Sequence, residues 1–418
     1  MRPVKVLKKA MIILFVTGMP VLLSAQVNPF DIKKFEFIDY DENSFIMNDH
    51  QKSKAFFEKM DSLILLGKGK INILHIGDSH IQADYVSGQL RKRFQNMAWG
   101  LNGGRGFVFP VKMAGSNNPW NFSLSYTGSW DACKNVEEKR DCPIGLGGYI
   151  VSTTSEKAGL SINYREKNYL PYTHKKVRVY HNMDTANWRL AMKDTSLSYK
   201  LTHRMDSAYS VFEFDTCQHD FSMEVHRKTD AGEFILRGVS FENEDPGIVY
   251  HSVGVNGAEV ESWLRCPLMM QDIQSIEPDF IIVSLGTNDS YTSKFDKLEF
   301  ENNMRRFLDR LKKTAPGTAL LWVTPGDNYR YRKYLNYNTE KATEVILKLG
   351  REYHFMVWDF YDIMGELNAI MSWYYAGLTA RDKLHYNKKG YELQGDLMFN
   401  AFLRAYNQHI DQKAKLQE

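Results

Sequence analysis

The sequence predicts an α/β protein with a doubly wound sheet, interrupted by an inserted antiparallel β-sandwich. Three observations carry this. Ile71–Ile76 is an apolar run that closes on Gly77 and leads into helical sequence, the opening of an α/β unit. From about residue 118 to 243 helical periodicity is absent and short period-two segments take over. After that stretch strands alternate with helices again, and Phe280–Leu285 is almost wholly apolar, as a strand buried on both faces of a parallel sheet must be.

Taken in order, the elements begin with a leader. Arg2, Lys5, Lys8 and Lys9 precede an apolar run from Met11 to Leu23, and Ser24-Ala25 offers a small-residue cleavage site, so residues 1–25 read as a signal peptide. The apolar run is short for a membrane span, and no later stretch is long and apolar enough to be one. No Cys follows the cleavage site to take a lipid. The mature chain is therefore expected to be periplasmic or secreted. Residues 26–69 form a lead-in with one amphipathic helix over 52–66. Residues 70–117 open the α/β domain, with the strand Ile71–Ile76 and a helix over 83–95 whose Val86, Leu90 and Phe94 fall on one side. Residues 118–246 are the sandwich: Leu160, Ile162 and Tyr164 alternate with polar neighbours, as do Leu197, Tyr199 and Leu201, and Phe221, Met223 and Val225.

Residues 247–410 resume the α/β domain. Ile248–Val253 runs as a strand into Gly254-Val255-Asn256-Gly257. Met304, Phe307, Leu308 and Leu311 mark a helix stopped by Pro316-Gly317. Ala319–Val323 and Phe355–Trp358 are further strands, with a helix over 340–352 between them, and residues 411–418 read as a polar tail. In a doubly wound sheet the ligand crevice lies beyond the carboxyl ends of the strands. Gly77-Asp78-Ser79 and Gly286-Thr287-Asn288-Asp289 both sit at such ends.

Bulk properties narrow the function. A chain of 418 residues exceeds one compact core, and 43% hydrophobic with 13% aromatic content belongs to a globular protein. The net charge of +3 includes four leader cations, so the mature chain is close to neutral. With no basic stripe and interleaved aromatics, nucleic acid is not an expected partner. Of the four cysteines, Cys133 and Cys142 are near enough in sequence to staple a loop, although four allow three pairings. None shows zinc-ligand spacing, and neither metal nor cofactor is expected.

A serine hydroxyl needs a base to take its proton as it attacks. Ser79 is the candidate nucleophile, His385 the base and Asp382 its orienter, three residues earlier in a polar loop. An oxyanion needs donors already aimed at it. The backbone N–H groups of Ser79 and Gly257 and the side-chain amide of Asn288 are the candidates, with Gly254 competing for the place of Gly257. Asp78 and Asp289 read as hydrogen-bonders that fix their turns, and His75 as a satisfied core residue. His80 is a candidate pocket-lining residue. Trp99, Trp120, Trp130 and Trp263 can stack on sugar rings, although a core role is the commoner use of Trp.

These islands resemble the SGNH (GDSL-like) hydrolases. Gly77-Asp78-Ser79 looks like that superfamily's block I, Gly257 falls where block II places its oxyanion glycine, Gly286–Asp289 matches block III, and Asp382 with His385 matches the Asp-x-x-His of block V. The resemblance implies a three-layer α/β/α flavodoxin-like domain and the roles just assigned. His80, where many members have Leu, departs from the pattern and argues against the lipase-like branch. A narrower resemblance joins Gly77–Asp84 with Gly103-Gly104-Arg105-Gly106-Phe107-Val108-Phe109-Pro110 and points to the Gram-negative peptidoglycan O-acetylesterases, which carry a carbohydrate-binding-module-like β-sandwich between blocks I and II. It implies a serine O-acetylesterase acting on cell-wall glycan. Three other readings stand beside it: an esterase on another acetylated polysaccharide such as xylan, an O-acetyltransferase with the same acyl-serine, and a catalytically silent glycan-binding protein. The position of the ester, sugar binding by the sandwich and the oligomeric state lie beyond these motifs.

Overall fold

In the computed structural model, which describes residues 34–165 and 172–416, the apolar runs pair as one parallel sheet. Its strands, in spatial order, are Gly247–Gly254, Lys70–Gly77, Phe280–Ser284, Ala319–Val323 and Met356–Trp358. Numbered along the chain this is 2-1-3-4-5, the flavodoxin-like order. Alternation along the strands divides two apolar layers. Ile71, Ile73, Ile248, Tyr250, Phe280 and Ile282 face the helices His50–Leu66, Val86–Gln95 and Lys388–Lys415. Leu74, Ile76, Val253, Ile281 and Val283 face the helices Met269–Ile276, Lys297–Thr314 and Asn338–Tyr353. The domain is thus the expected three-layer α/β/α arrangement.

The stretch between the first two strands forms two antiparallel sheets. One runs Asp131–Lys134, Tyr149–Thr153, Phe234–Glu242, His174–Asn182, Tyr209–Gln218, Tyr199–Arg204; the other runs Phe122–Thr127, Lys157–Tyr164, Phe221–Arg227, Trp188–Met192. Their inward apolar residues, such as Leu160, Ile162, Val177, Val179 and Met223, join one continuous core with the second layer of the parallel sheet. Cys133 and Cys142 are disulfide-bonded, while Cys217 is free and exposed and Cys266 free and buried.

Several details differ from the sequence expectation. The helix expected over 83–95 is present as Val86–Gln95, and a separate short helix, Ser79–Gln82, precedes it. Between them Asp84 takes φ +57, because its buried carboxylate turns inward to Arg91 and Arg105 and cannot follow a continuous helix. The antiparallel sheet also recruits Gly106–Val108, upstream of residue 118, as a partner of Phe234–Glu242. Gly104 and Gly106 make that passage possible. A Cβ on Gly104 would stand 2.5 Å from the Phe241 carbonyl oxygen, and one on Gly106 would stand 2.7 Å from that of Tyr250. The last helix continues to Lys415, so most of the segment read as a tail is its exposed end. The leader and the first part of the lead-in lie outside the described residues.

Candidate active site

Three neighbouring strands of the sheet deliver the three upstream islands. Lys70–Gly77 ends at Ser79, Gly247–Gly254 leads to Gly257, and Phe280–Ser284 leads to Asn288. Gly77 is forced to be glycine by the approach of the following turn: a Cβ there would lie 2.3 Å from Ile81 Cγ1. Asp78 then caps the short helix, its Oδ1 accepting the His80 N–H at 2.9 Å. This leaves Ser79 half-buried at the crevice floor, its hydroxyl turned to the fourth island.

That island is a loop held against the site by the C-terminal helix. Asn387 caps the helix by accepting the Gly390 N–H, and Asp396 farther along pairs with Arg93 at 2.7 Å. Ser79 Oγ lies 2.9 Å from His385 Nε2, and His385 Nδ1 lies 2.8 Å from Asp382 Oδ2. Asp382 Oδ1 also accepts the backbone N–H groups of Leu384 and His385, at 3.1 and 3.0 Å. Burial works against both charges, yet the contact between the two side chains outweighs it. Asp382 is held well below the usual carboxylate range and His385 above the usual imidazole value. Such an arrangement can move a proton from the serine hydroxyl to the imidazole and stabilise the imidazolium that results.

The oxyanion candidates separate cleanly. Gly254 is buried under the nucleophile turn, where a Cβ would lie 2.4 Å from the Gln82 nitrogen. Gly257 is exposed with φ +79, and no heavy atom comes within 4 Å of where its Cβ would stand. The backbone N–H groups of Ser79 and Gly257 find no acceptor among the described residues. Asn288 Nδ2 donates to the Ala258 carbonyl at 3.0 Å and to Asp78 Oδ2 at 3.3 Å, spanning the neighbours of Gly257 and Ser79. The longer of the two leaves an amide hydrogen that a better acceptor can take.

The remaining polar residues fall as follows. His75 is buried and bonded on both ring nitrogens, to Tyr250 and Ser284 at 2.8 Å each. Asp289 Oδ1 accepts the Val260 N–H at 3.0 Å, and burial pushes its carboxyl up to about 8. Burial likewise pushes Asp78 up to about 7. His80 lies beside the His385 ring, centroids 5.2 Å apart, with Nδ1 3.0 Å from the Tyr391 hydroxyl. Burial lowers its pKa to about 3, so this second imidazole stays neutral next to the first. It lines a small cavity with Thr287, Leu384 and Tyr386. Trp263 is core, Trp99 is exposed, Trp130 is half-buried, and Trp120 is stacked on Tyr85 and bonded to the Asp84 carbonyl.

One residue was missed by sequence reading. Gln82 Oε1 accepts from the Tyr149 hydroxyl at 2.8 Å and from the Asn256 N–H at 2.7 Å, while Nε2 donates to Ser116 Oγ and to the Asn117 carbonyl. It ties the nucleophile turn to the Gly257 loop and to the sandwich. Among the described residues no group of three or more His, Cys, Asp or Glu is placed to hold a metal, and no helix is long and apolar enough to cross a membrane.

Fold and site together are those of a three-layer α/β/α domain carrying a serine-hydrolase arrangement at the carboxyl ends of its strands. Residues 234–393 match the sequence model of the GDSL-like Lipase/Acylhydrolase family, a stretch that holds Gly257, Asn288, Asp382 and His385 but not the upstream Ser79. Among solved structures the chain is similar to a peptidoglycan O-acetylesterase, with 18% identity and a TM-score of 0.69 over 87% of this chain and 99% of that one. That likeness spans the α/β domain and the insertion together. Similarity also extends to an acetyl xylan esterase, with 21% identity and a TM-score of 0.30 over 38% of this chain and 81% of that one. An acetylxylan esterase from Geobacillus stearothermophilus gives 18% identity and a TM-score of 0.29 over 38% and 73%. No curated protein matches the chain.

Proposed function

We propose that this protein is an exported serine esterase that removes O-acetyl groups from a glycan, with peptidoglycan as the substrate. The observation that carries the reading is the hydrogen-bonded series Ser79–His385–Asp382 beside two unpaired backbone N–H groups. Ser79 Oγ attacks the ester carbonyl while His385 Nε2 takes its proton, and the tetrahedral oxyanion is held by the N–H groups of Ser79 and Gly257 and by the Asn288 amide. The intermediate collapses as His385 returns the proton to the departing sugar oxygen, leaving acetyl-Ser79 and a free sugar hydroxyl. Water then attacks the acetyl-serine, again giving its proton to His385, and acetate leaves as Ser79 recovers its hydrogen. Asp382 keeps the Nδ1–H tautomer and offsets the imidazolium charge throughout.

Peptidoglycan as substrate is supported by the likeness over nearly the whole chain to the peptidoglycan O-acetylesterase and by the matching motifs at Gly77–Asp84 and Gly103–Pro110. Export is supported by the leader at residues 1–25. The test is acetate release, without an added acceptor, from O-acetylated peptidoglycan and from acetylated xylan, by the mature protein and by Ser79→Ala. Release from peptidoglycan that is lost in the variant is the expected result. Release from xylan alone would sink the cell-wall assignment, and release only when an acceptor sugar is supplied would make the protein a transferase.

A further inference from the structure

The hairpin Tyr329–Leu335 takes no part in the proposed chemistry, yet it stands at its edge. The Tyr329 N–H donates to the Lys383 carbonyl at 2.9 Å, and Lys383 lies between Asp382 and His385. On the other side the Tyr331 N–H donates to the Tyr291 hydroxyl at 2.6 Å, and Tyr291 ends the helix Thr287–Ser290 that carries Asn288. The hairpin therefore bridges the loop of the base and the helix of the oxyanion donor.

Its turn is built from unsuitable residues. The Lys333 N–H donates to the Arg330 carbonyl at 3.1 Å, and the two residues between, Tyr331 and Arg332, have φ of 53° and 65°. Positive φ at both central positions ordinarily selects Asn-Gly. Bulky residues are strained there, and such strain collects where the side chains serve a function. Neighbouring Lys383 has φ 56° as well, and its Nζ lies 4.8 Å from the Tyr329 ring centroid and 5.6 Å from that of Tyr374.

The chemistry of this rim is one-sided. Between Asn328 and Asn338 the chain has three cations, Arg330, Arg332 and Lys333, and no carboxylate. Arg332 and Lys333 are exposed and make no ion pair among the described residues. Of the flanking acids, Asp382 holds His385 and Asp327 is buried with Oδ2 on the Ile370 N–H, while Glu340 is exposed just beyond the segment. Tyr331 is 68% exposed and Tyr375 79%, with Tyr334 and Tyr337 also open. Lys333 Nζ lies over the Tyr334 ring, 5.5 Å from its centroid, and exposed Tyr grouped with Arg is the composition of a binding surface.

We infer that this rim grips an acidic glycan, its tyrosines meeting the sugar faces and Arg332 and Lys333 pairing with substrate carboxylates. The inference rests on the reading of the site as a glycan esterase and deepens it, because a carboxylate-bearing polymer such as peptidoglycan satisfies the rim and a neutral xylan does not. Three variants test it, each made both in the active protein and in the Ser79→Ala background. Tyr331→Asn/Arg332→Gly gives the turn the residues it favours, so the melting temperature should rise while co-sedimentation with insoluble peptidoglycan weakens roughly ten-fold. Arg332→Glu/Lys333→Glu should weaken binding at least as much and raise KM for acetate release, with the wild-type advantage fading as salt is added. Lys312→Glu/Lys313→Glu makes the same change in net charge at the opposite end of the sheet and should leave binding unaltered. Unchanged sedimentation of both hairpin variants would overturn the inference, as would an equal loss of binding in the Lys312/Lys313 control. Sedimentation needs no turnover. Failure of the esterase reading would show separately, as acetate release by Ser79→Ala.

Discussion

His385 is held between opposing influences. Burial disfavours its imidazolium, and the Asp382 carboxylate at 2.8 Å more than compensates, which sets the base above the ordinary histidine pKa of about 6.5. In the proposed mechanism only neutral His385 can accept the serine proton. Activity on a small acetyl ester should therefore climb with pH through an apparent pKa above that value. Asp382→Asn removes the influence that raises it. Its kcat/KM profile should shift its acid limb to lower pH and fall by roughly 10²-fold or more, measured across pH 5 to 9. At this scale the site was legible where its residues sit in short local patterns, as Gly77–Ser79, Gly286–Asp289 and Asp382–His385 do. Gln82 was not legible, because its partners lie 34, 67 and 174 residues away and nothing in the sequence pairs them.

The nucleophile turn is anchored as an element by Asp84. Its carboxylate accepts two hydrogen bonds from Arg91, one from Arg105 at 2.7 Å, and others from Ser87, Asn121 and Ser252. Burial alone would raise its pKa, but the two guanidinium groups hold it well below the carboxylate range. The stability it contributes is present above the unfolded Asp value and is lost only as pH falls through the depressed folded value. Asp84→Asn leaves two buried arginines without a counter-charge, so a loss of about 3–5 kcal/mol is expected, read as a lowered denaturant midpoint. A change of less than about 1 kcal/mol would show that the cluster is not the anchor. The same residue explains why the helix expected over 83–95 starts only at Val86. Val86, Leu90 and Phe94 carry the periodicity correctly, but that start depends on Arg105 and Asn121, which periodicity cannot reveal. The Gly103–Pro110 motif now has a physical account too: its glycines thread between two sheets and carry Arg105 to Asp84.

For the whole molecule, the alternation of strands and helices made the doubly wound sheet legible, and the period-two stretch made the sandwich legible. The strand Gly106–Val108 was not, since three residues carry no period. One continuous core joins the two parts, so charges buried near the crevice bear on overall stability. Asp289 and Asp78 keep their protons when folded up to about pH 8 and 7, whereas the unfolded chain releases them near 3.8. The folded state thus binds more protons between these values, and these two groups make stability fall as pH rises from about 4 to 8. Asp289→Asn keeps an acceptor for the Val260 N–H and removes that titration. Its melting temperature relative to wild type should rise between pH 5 and pH 9, and a constant difference would count against a neutral Asp289. The central claim is the acyl-serine, and the most direct measurement is mass spectrometry of the protein acid-quenched during turnover of an activated acetyl ester. The account predicts one acetyl group on the peptide containing Ser79, absent from Ser79→Ala, which should also release no acetate. Acetate release with Ser79 unmodified, or retained in Ser79→Ala, would contradict it.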